Sequence, residues 1–381
     1  MERLELLEII ERGEDSRHQF KADVKNETSL VQEMVAFSNS GGGDLFIGVG
    51  DDGAIAGLSR EDMGRLNQLV SNAASQQVRP SINPLTENIP MPGGFVMRIA
   101  VPDGLAKPYM DKNGLIWVKS GADKRKATSR EEIQRIFQRA GLLHGDEIPA
   151  SGLTLADLDR DYFDRFYRGN FGDRPESPLP VLLENMNLMK DGVFNITGAL
   201  LFAANPSPKL PAFIVKAVAF PGDAFHETDY RDSRDIVGKL ADIFAQSLGF
   251  VLGNIRHIQG DRGVNSTGEP EIPRVSLEEL IVNALVHRDY FVSAPVRIFV
   301  FSDRVEIISP GCLPNNLTVA NIKASVSNMR NPILASHATK LLPYRGIGSG
   351  IVRALRAYPD IEFEDDRDGN RFVVRIRRRN D

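Results

Sequence analysis

The segment Asn39–Leu58, with the sequence NSGGGDLFIGVGDDGAIAGL, decides the fold of the first part of this chain. Its three consecutive glycines follow a stretch in which Leu30, Met34 and Phe37 recur at helical spacing. The apolar run DLFIGVG is typical of a buried strand, DDG of a hairpin turn, and AIAGL of a returning strand. We therefore predict that the glycines form a tight turn between a helix and a β-hairpin and do not cradle a nucleotide.

The composition of the 381-residue chain is that of an ordinary globular protein, with 42% hydrophobic and 25% charged residues. Its length predicts two or three domains. No apolar run reaches the roughly 18 residues that cross a bilayer, and the start MERLELLEIIERGED is not typical of a signal peptide. These features predict a cytoplasmic protein that does not bind a membrane. The net charge of −5 still leaves room for local basic clusters, and the single cysteine, Cys312, excludes an intramolecular disulfide.

The order of predicted elements indicates a multidomain α+β protein. Strands at GGFVMRIAVP and GLIWVKSG and the helix SREEIQRIFQRAG complete a first α+β domain, residues 1–142. Residues 150–270 contain the amphipathic pattern DIVGKLADIFAQSLGFVLGNI and are predicted to be a connecting region. Residues 271–381 combine the helix SLEELIVNALVHRDY with the strands PVRIFVFSD, RVEIISPG and NRFVVRIRRR. We expect an α/β sandwich with a mixed sheet there.

Three polar residues in this last region are spaced four apart. Glu279, Asn283 and His287 share one face of a helix. An amide oxygen suits Mg²⁺, and a carboxylate one turn earlier can orient a water towards a γ-phosphate. The alternative is that Ser276 and Glu279 form a capping box, which leaves Glu279 bonded to the backbone at the helix start.

A glycine-rich segment follows later in the same region. Gly346, Gly348 and Gly350 precede a helical pattern, so backbone N–H groups and the helix N-terminus can approach phosphate oxygens. The segment matches neither G-x-G-x-x-G nor a P-loop. A flexible turn is the alternative interpretation.

The motifs EELIVNALVHRDY, DRVEIISPGCLPNNLT, SNMRNPILA and GIGSGI, in that order, resemble a known family. They look like the ATP-binding domain of the gyrase, MutL and histidine-kinase (GHKL) superfamily, in the divergent HATPase_c_4-like form found in RecG-like proteins and fused to Schlafen AlbA-type domains. The resemblance implies that Glu279 activates a water and that Asn283 holds Mg²⁺. It implies further ATP contacts from His287, Arg288, Asp289, Gly311, Arg330, Asn331, Gly346, Gly348 and Gly350.

One position departs from the superfamily. Ser309 stands where the superfamily has the Asp that binds adenine, and a hydroxyl carries no charge. Asp303 is a candidate substitute, although an Asp in a turn between strands is commonly structural.

The motifs GEDSRHQFKADV and IWVKSGADKRKAT, with the glycine segment between them, resemble a Schlafen AlbA-2 domain. Some Schlafen relatives are RNA nucleases that use three carboxylates to hold catalytic metals. The matching positions here are Glu14, Gln19 and Gly41, of which only Glu14 is a carboxylate. Nuclease activity is therefore not expected, with Asp15 and Asp44 as the possible substitutes.

A basic segment remains as a candidate for nucleic-acid binding. Lys119, Lys124, Arg125 and Lys126 lie close together in the sequence, and Lys21 and Lys107 are further candidates. Such cations neutralise backbone phosphates without reading the sequence. The alternatives are a solvated basic turn and, for Lys21, an edge-strand lysine that prevents aggregation.

Together the two resemblances predict an ATP-binding, nucleic-acid-binding regulatory protein of the transcriptional-regulator type. Mg-ATP in the C-terminal domain would modulate contacts of the AlbA-like domain with DNA or RNA. The resemblance also implies a homo-oligomer, with contacts placed in residues 150–270. The alternatives are a Schlafen-like nuclease in defence against phage and a nucleotide-free scaffold.

Overall fold

A computed structural model describes residues 1–173, 176–225, 229–259, 268–314 and 317–378 of the chain. Contacts divide the chain into two units, Met1–Leu143 and His144–Asp381. The boundary predicted near residue 270 therefore falls inside the second unit. Within the described ranges, no helix is both long and apolar enough to cross a membrane.

The first unit is an α+β domain. Its helices are α1 (Arg3–Arg12), α2 (Glu27–Asn39), α3 (Arg60–Asn72) and α4 (Arg130–Arg139). Its strands are β1 (His18–Lys21), β2 (Gly43–Ile47), β3 (Val78–Arg79), β4 (Leu85–Met91), β5 (Gly94–Val101), β6 (Met110–Asp111), β7 (Trp117–Ser120) and β8 (Asp123–Lys126). A four-stranded sheet has the order β1-β2-β5-β4, in which β1 and β2 are parallel and the other neighbours are antiparallel.

The glycine segment forms the predicted tight turn between α2 and β2. Gly41 and Gly42 adopt φ angles of +99° and +78°, a region that favours glycine. A Cβ at Gly42 would lie 2.8 Å from the backbone nitrogen of Asp103. The predicted returning strand is wrong. Val49 and Ile55 form only an isolated bridge, because β2 already pairs with β1 and β5 on its two edges.

The second unit contains the remaining elements. Its helices are α5 (Arg160–Phe171), α6 (Leu179–Asn185), α7 (Ile196–Phe202), α8 (Leu240–Asn254), α9 (Arg274–Val286), α10 (Val319–Lys323), α11 (Pro332–Leu341) and α12 (Gly350–Ala357). Its strands are β9 (Pro149–Thr154), β10 (Met189–Lys190), β11 (Val193–Asn195), β12 (Val215–Ala219), β13 (Asp232–Ile236), β14 (His257–Ile258), β15 (Glu269–Pro270), β16 (Val296–Val300), β17 (Arg304–Pro310), β18 (Ile361–Asp366) and β19 (Arg371–Arg377).

A six-stranded mixed sheet organises the second unit, with the order β13-β12-β16-β17-β19-β18. Strands β12 and β16 are parallel, and the other neighbours are antiparallel. The predicted α/β sandwich with a mixed sheet is therefore confirmed. Strands β12 and β13 come from residues 150–270, so this predicted connecting region supplies part of the sheet. Helix α9 is buried along most of its length, which agrees with its apolar sequence.

Candidate functional site

A cavity lies in the second unit between α9, the sheet and the glycine segment that precedes α12. Its volume is about 1080 Å³, including its open mouth. Eight predicted site residues line it: Glu279, Asn283, His287, Gly311, Arg330, Gly346, Gly348 and Gly350. The four-residue spacing on α9 therefore directs all three of its predicted polar side chains to one cavity.

Glu279 does not take part in a helix cap. Helix α9 begins after Pro273, so Ser276 is already inside the helix, and its hydroxyl donates to the Ala354 carbonyl at 3.0 Å. Glu279 is 6% exposed and lines the cavity. The capping-box alternative is therefore wrong, because Ser276 contacts α12 and leaves Glu279 free of the backbone.

An arginine from α12 is bonded to Glu279. Arg353 Nε donates to Glu279 Oε1 at 2.8 Å, and Arg353 Nη2 bonds the same oxygen. The third nitrogen, Nη1, donates to Ser349 Oγ at 2.9 Å. The other carboxylate oxygen, Glu279 Oε2, lies 2.5 Å from the position that a Cβ of Gly350 would occupy. A side chain at residue 350 would displace this carboxylate or the backbone beside it.

Asn283 lies one turn further along α9. Its Nδ2 is buried and has no hydrogen-bond partner among the described residues. The same atom is 3.2 Å from the Cβ position of Gly350, so it sits beside the glycine segment. Buried polar groups nearly always have partners, so an unpartnered amide that lines a cavity indicates a ligand or water there.

His287 caps the C-terminal end of α9 and is uncharged at neutral pH. Burial, with a smaller contribution from Arg330, lowers the pKa of His287 to about 4. Its Nε2 is 2.9 Å from the hydroxyl of Tyr344. Burial also raises the pKa of Tyr344 to about 12. The pair therefore supplies neutral hydrogen-bonding groups to the cavity wall.

The glycine segment is shaped by two left-handed residues. Gly346 and Gly348 have φ angles of +69° and +73°. A Cβ at Gly348 would lie 2.8 Å from the Ser325 carbonyl, so no other residue fits without displacing the backbone. Helix α12 starts at Gly350, and its N-terminal N–H groups begin at the cavity. This is an arrangement that suits an anion.

The sheet contributes an apolar side to the cavity. Ile307, Phe372 and Val374 from the sheet line it, together with Ser309. The Ser309 hydroxyl donates to the Ala284 carbonyl at 3.1 Å, which leaves its oxygen lone pairs as acceptors. Asp303 accepts a hydrogen bond from the Arg304 Nη1 at 2.8 Å at the start of β17 and does not line the cavity. Asp303 is therefore a turn residue and does not replace the missing Asp.

Three residues predicted to contact the nucleotide lie outside the cavity lining. Arg288 is 2% exposed and donates to the Val292 and Ala294 carbonyls, at 2.9 and 2.6 Å. Asn331 Nδ2 donates to two carbonyls at the end of α9, and Asp289 Oδ1 accepts from a backbone N–H two residues later. Their predicted role is corrected, because these polar groups fix the loop that follows α9.

Arg330 also lines the cavity. Its Nη2 donates to the Cys312 carbonyl at 2.6 Å. Gly311 lies next to the Arg330 side chain and has a φ of +96°. A Cβ at Gly311 would contact both Arg330 and Asp289. The carbonyl of Arg330 accepts a hydrogen bond from His144 Nδ1 at 3.2 Å. Arg330 is thus held in place by its backbone and by its guanidinium.

In the first unit, three predicted phosphate-binding lysines surround one buried carboxylate. Glu33 of α2 is 2% exposed. Lys124 Nζ donates to its Oε1 at 2.7 Å, and the ammonium groups of Lys21 and Lys119 each lie 3.9 Å from the carboxylate. We call these four residues the Glu33 cluster.

Lys119 also contacts the positions that match nuclease carboxylates. Its Nζ donates to Gln19 Oε1 at 2.7 Å, and Gln19 Nε2 donates to Glu14. Burial lowers the pKa of Lys119, while Glu33 and Glu14 act in the opposite direction. An ammonium and an amide therefore occupy this site, and Gly41 lies in the turn before β2. The arrangement does not favour a metal-dependent nuclease.

The other predicted cations mostly have partners too. Lys107 pairs with Asp103 at 2.6 Å, and Arg125 forms two hydrogen bonds with Glu132, at 2.6 and 2.9 Å. Lys126 differs, because its Nζ lies 5.3 Å from the centre of the Trp117 ring. Five of the six predicted nucleic-acid-binding cations thus contact a carboxylate of their own domain, and their binding to phosphates stays a prediction.

The two acidic residues considered as nuclease substitutes are also engaged. Asp44 accepts from Arg98 Nε and Nη2 at 2.9 and 3.0 Å. Asp15 Oδ1 accepts from the backbone N–H groups of Arg17 and His18. Among the described residues, no group of three or more His, Cys, Asp or Glu has the geometry to hold a metal ion.

Comparison with known families agrees with the division of the chain into two units. Residues 14–128 match the family described as "Schlafen, AlbA_2". Residues 293–376 match the family HATPase_c_4, described as "Putative ATP-dependent DNA helicase recG C-terminal". The chain is therefore similar to AlbA_2 proteins over residues 14–128 and to HATPase_c_4 proteins over residues 293–376, and we call its first and second units the AlbA_2 domain and the HATPase_c_4 domain after these matches. The two matches relate it to nucleic-acid proteins that carry an ATPase-type domain.

Two solved structures are similar to the chain. The DIP2311 protein from Corynebacterium diphtheriae is 19% identical, with a TM-score of 0.46 over 96% of this chain and 64% of that one. The N-terminal domain of a RecG-related protein, described as a "Putative ATP-dependent DNA Helicase", from Nitrosomonas europaea is 20% identical. Its TM-score is 0.24 over 34% of this chain and 96% of that one. The chain thus spans about two thirds of the length of the DIP2311 protein. No curated protein matches the sequence.

Sequence reasoning missed four residues that the structure brings to these sites. In the HATPase_c_4 domain, Arg353, Ser349 and Tyr344 line the cavity. Arg353 is one helical turn beyond Gly350, and that spacing was the available signal. In the AlbA_2 domain, Glu33 interrupts the apolar sequence of α2, where a buried charge calls for a partner.

Proposed function

We propose that the HATPase_c_4 domain binds Mg-ATP in its cavity and that this binding regulates how the AlbA_2 domain contacts nucleic acid. The observation that carries the proposal is the unpartnered amide of Asn283, which lies beside Glu279 and the glycine segment. A buried donor of this kind is stabilised by an oxygen-rich ligand.

The cavity lining suits both the phosphates and the base of a nucleotide. It includes Arg330, Arg345 and the N-terminal end of α12, which favour phosphate groups. The sheet residues around Ser309 are apolar and suit a flat base. Because Ser309 offers lone pairs but no charge, we expect weaker selection of adenine over other bases than an Asp would give.

The lining residues also fit magnesium. Asn283 is the side chain that would hold it through its amide oxygen, which is a hard ligand. When bound, magnesium neutralises phosphate charge. Glu279 is the carboxylate one turn away that can accept a proton from an attacking water, so we propose slow ATP hydrolysis.

The nucleic-acid part of the proposal rests on the AlbA_2 match and on the basic surface. Lys126 has a ring contact and no carboxylate contact among those described above, and Lys21 and Lys124 remain about one-fifth exposed beside Glu33. Such a surface would contact the phosphate backbone and would not read the sequence. We therefore expect salt-sensitive binding to DNA or RNA.

The first experiment measures the free energy of unfolding of the full chain with and without Mg-ATP. A ligand present at about 100 times its Kd stabilises the native state by roughly 2.7 kcal/mol. A shift of that size supports the nucleotide site. An unchanged unfolding free energy at millimolar Mg-ATP would favour a scaffold that binds no nucleotide.

The second experiment tests the coupling between ATP and nucleic acid. Fluorescence anisotropy of labelled single-stranded RNA and duplex DNA is recorded with the full chain, with and without Mg-ATP. The proposal predicts that Mg-ATP changes the affinity of the wild-type protein and leaves that of Asn283→Ala unchanged. Equal affinities under all conditions would contradict the coupling, and shortened strands would indicate a nuclease.

A further inference from the structure

We propose that Arg353 senses the γ-phosphate of the nucleotide. Until that phosphate binds, Arg353 keeps one carboxylate oxygen of Glu279 occupied. The inference rests on the proposed function and adds a regulatory residue to the same site. In this structure Arg353 bonds Glu279. With a triphosphate bound, Arg353 turns to the terminal phosphate and releases the carboxylate.

The two carboxylate oxygens of Glu279 have different neighbours in this structure. Oε1 accepts hydrogen bonds from two nitrogens of Arg353. Oε2 packs against Gly350, where even one added carbon would come within 2.5 Å. Loss of the Arg353 contact would free Oε1 to hold a water. The Arg353 contact is the one that a side-chain rotation removes.

Arg353 is placed to make the exchange. It lies in the first turn of α12, and its Nη1 already bonds Ser349 in the glycine segment. Its side chain is 28% exposed, whereas that of Glu279 is 7% exposed, so the arginine has the greater freedom to move. A guanidinium binds phosphate oxygens in the same forked geometry as a carboxylate, and a terminal phosphate carries more negative charge.

The exchange prepares the hydrolytic step. Water attacks the γ-phosphorus, and the bond between that phosphorus and the β,γ-bridging oxygen breaks. ADP leaves with the bonding electron pair, and the water proton passes to the freed Glu279 carboxylate. The products are ADP and inorganic phosphate, so no oxidant, reductant or further reactant is required.

The test compares the affinities of the full chain for Mg-ATP and Mg-ADP by calorimetry, because only ATP has the γ-phosphate. Arg353→Ala is expected to lower the preference for ATP over ADP about tenfold, the size of one charge-assisted hydrogen bond, while ADP affinity stays constant. Arg353→Lys should retain part of the preference, and Glu279→Gln should increase it, because the arginine is then released. Arg356→Ala, an exposed arginine on the same helix, is the matched control.

The outcomes separate this inference from the proposed function. If Arg353→Ala weakens ATP and ADP equally, Arg353 only ties α9 to α12 and the inference is overturned. If Arg353→Ala does not fold, the Glu279→Gln variant provides the test. An unchanged preference of Glu279→Gln for ATP over ADP would overturn the inference. If the wild-type protein binds neither nucleotide, the proposed function itself fails, and this inference fails with it.

Discussion

The cavity of the HATPase_c_4 domain and the Glu33 cluster of the AlbA_2 domain both concentrate charged and polar side chains, but they use them differently. In the cavity, a buried amide without a hydrogen-bond partner among the described residues lies beside Gly350, where a Cβ would come close to Glu279 and Asn283. In the Glu33 cluster, each lysine contacts the carboxylate of the same domain. The cavity has capacity for a ligand, whereas in the cluster Glu33 offsets part of the lysine charge and holds the three ammonium groups near one carboxylate.

This difference shows that the number of cations in a sequence does not measure the capacity to bind phosphate. A partner on another element, such as Glu33, is separated from Lys119 and Lys124 by some ninety residues and is invisible to local patterns. We expect the two regions to respond in opposite ways to mutation. Changes in the cavity should alter ligand binding, and changes in the cluster should alter stability.

The largest expected effect is on hydrolysis. Glu279→Gln should reduce ATP turnover at least about 100-fold, because an amide cannot accept the water proton, while ATP binding persists. Phosphate release with saturating Mg-ATP measures this. Glu278→Gln, its neighbour on α9, is the matched control and should keep wild-type turnover. Retained hydrolysis in Glu279→Gln would remove Glu279 from the mechanism.

The next effect concerns the Glu33 cluster. Glu33→Ala should lower the unfolding free energy by about 3 kcal/mol, because the loss of a buried partner leaves lysine charges uncompensated. Urea denaturation of the purified protein measures the loss. Glu132→Ala removes the partner of exposed Arg125 and should cost less than about 1 kcal/mol. Equal losses in the two variants would mean that Glu33 has no special role.

These elements also show what the sequence could predict. The helix, turn and strand around Gly41–Gly43 and the convergence of Glu279, Asn283 and His287 follow from short-range spacing, and the structure has them. The roles of Arg288 and Asn331 did not follow, because sequence order cannot distinguish a cavity wall from the loop behind it. Likewise β12 and β13 joined a sheet formed mostly by later strands, and such long-range pairing leaves no local pattern.

A smaller effect is expected from the glycine beside Glu279. Gly350→Ala places a Cβ 2.5 Å from Glu279 Oε2, so either the carboxylate or the glycine segment must shift. We expect ATP affinity to fall about tenfold, the size of one lost phosphate hydrogen bond. Gly249→Ala in α8 is the control, because a Cβ there meets nothing within 4 Å. Unchanged affinity in Gly350→Ala would place the phosphates elsewhere.

The salt dependence of nucleic-acid binding should distinguish unpaired from paired cations. Lys126→Ala is expected to reduce the slope of log K against log salt concentration by about 1, the value of one phosphate contact. Lys107→Ala should reduce it less, since Lys107 pairs with Asp103. Anisotropy titrations at several salt concentrations provide the slopes. Identical changes in the two variants would contradict the distinction.

The smallest effect is a pH dependence from His287. Because its pKa in the folded protein is about 4, below the ordinary value of 6.5, the unfolded chain binds the proton more readily. The unfolding free energy should therefore fall as the pH is lowered from 6.5 towards 4. His287→Gln should make the unfolding free energy less dependent on pH between 6.5 and 5, as measured by urea denaturation. Burial lowers the pKa of His337 as well, so some slope should remain.

The most direct test of the nucleotide site is calorimetric titration of Mg-ATP into the wild-type protein, Asn283→Ala and the control Asn170→Ala. Asn170 lies in α5, and its amide donates to the Phe166 carbonyl on the same helix. The account predicts saturable binding by the wild type and by Asn170→Ala, and loss of binding in Asn283→Ala. No binding by the wild type, or equal binding by all three proteins, would contradict it.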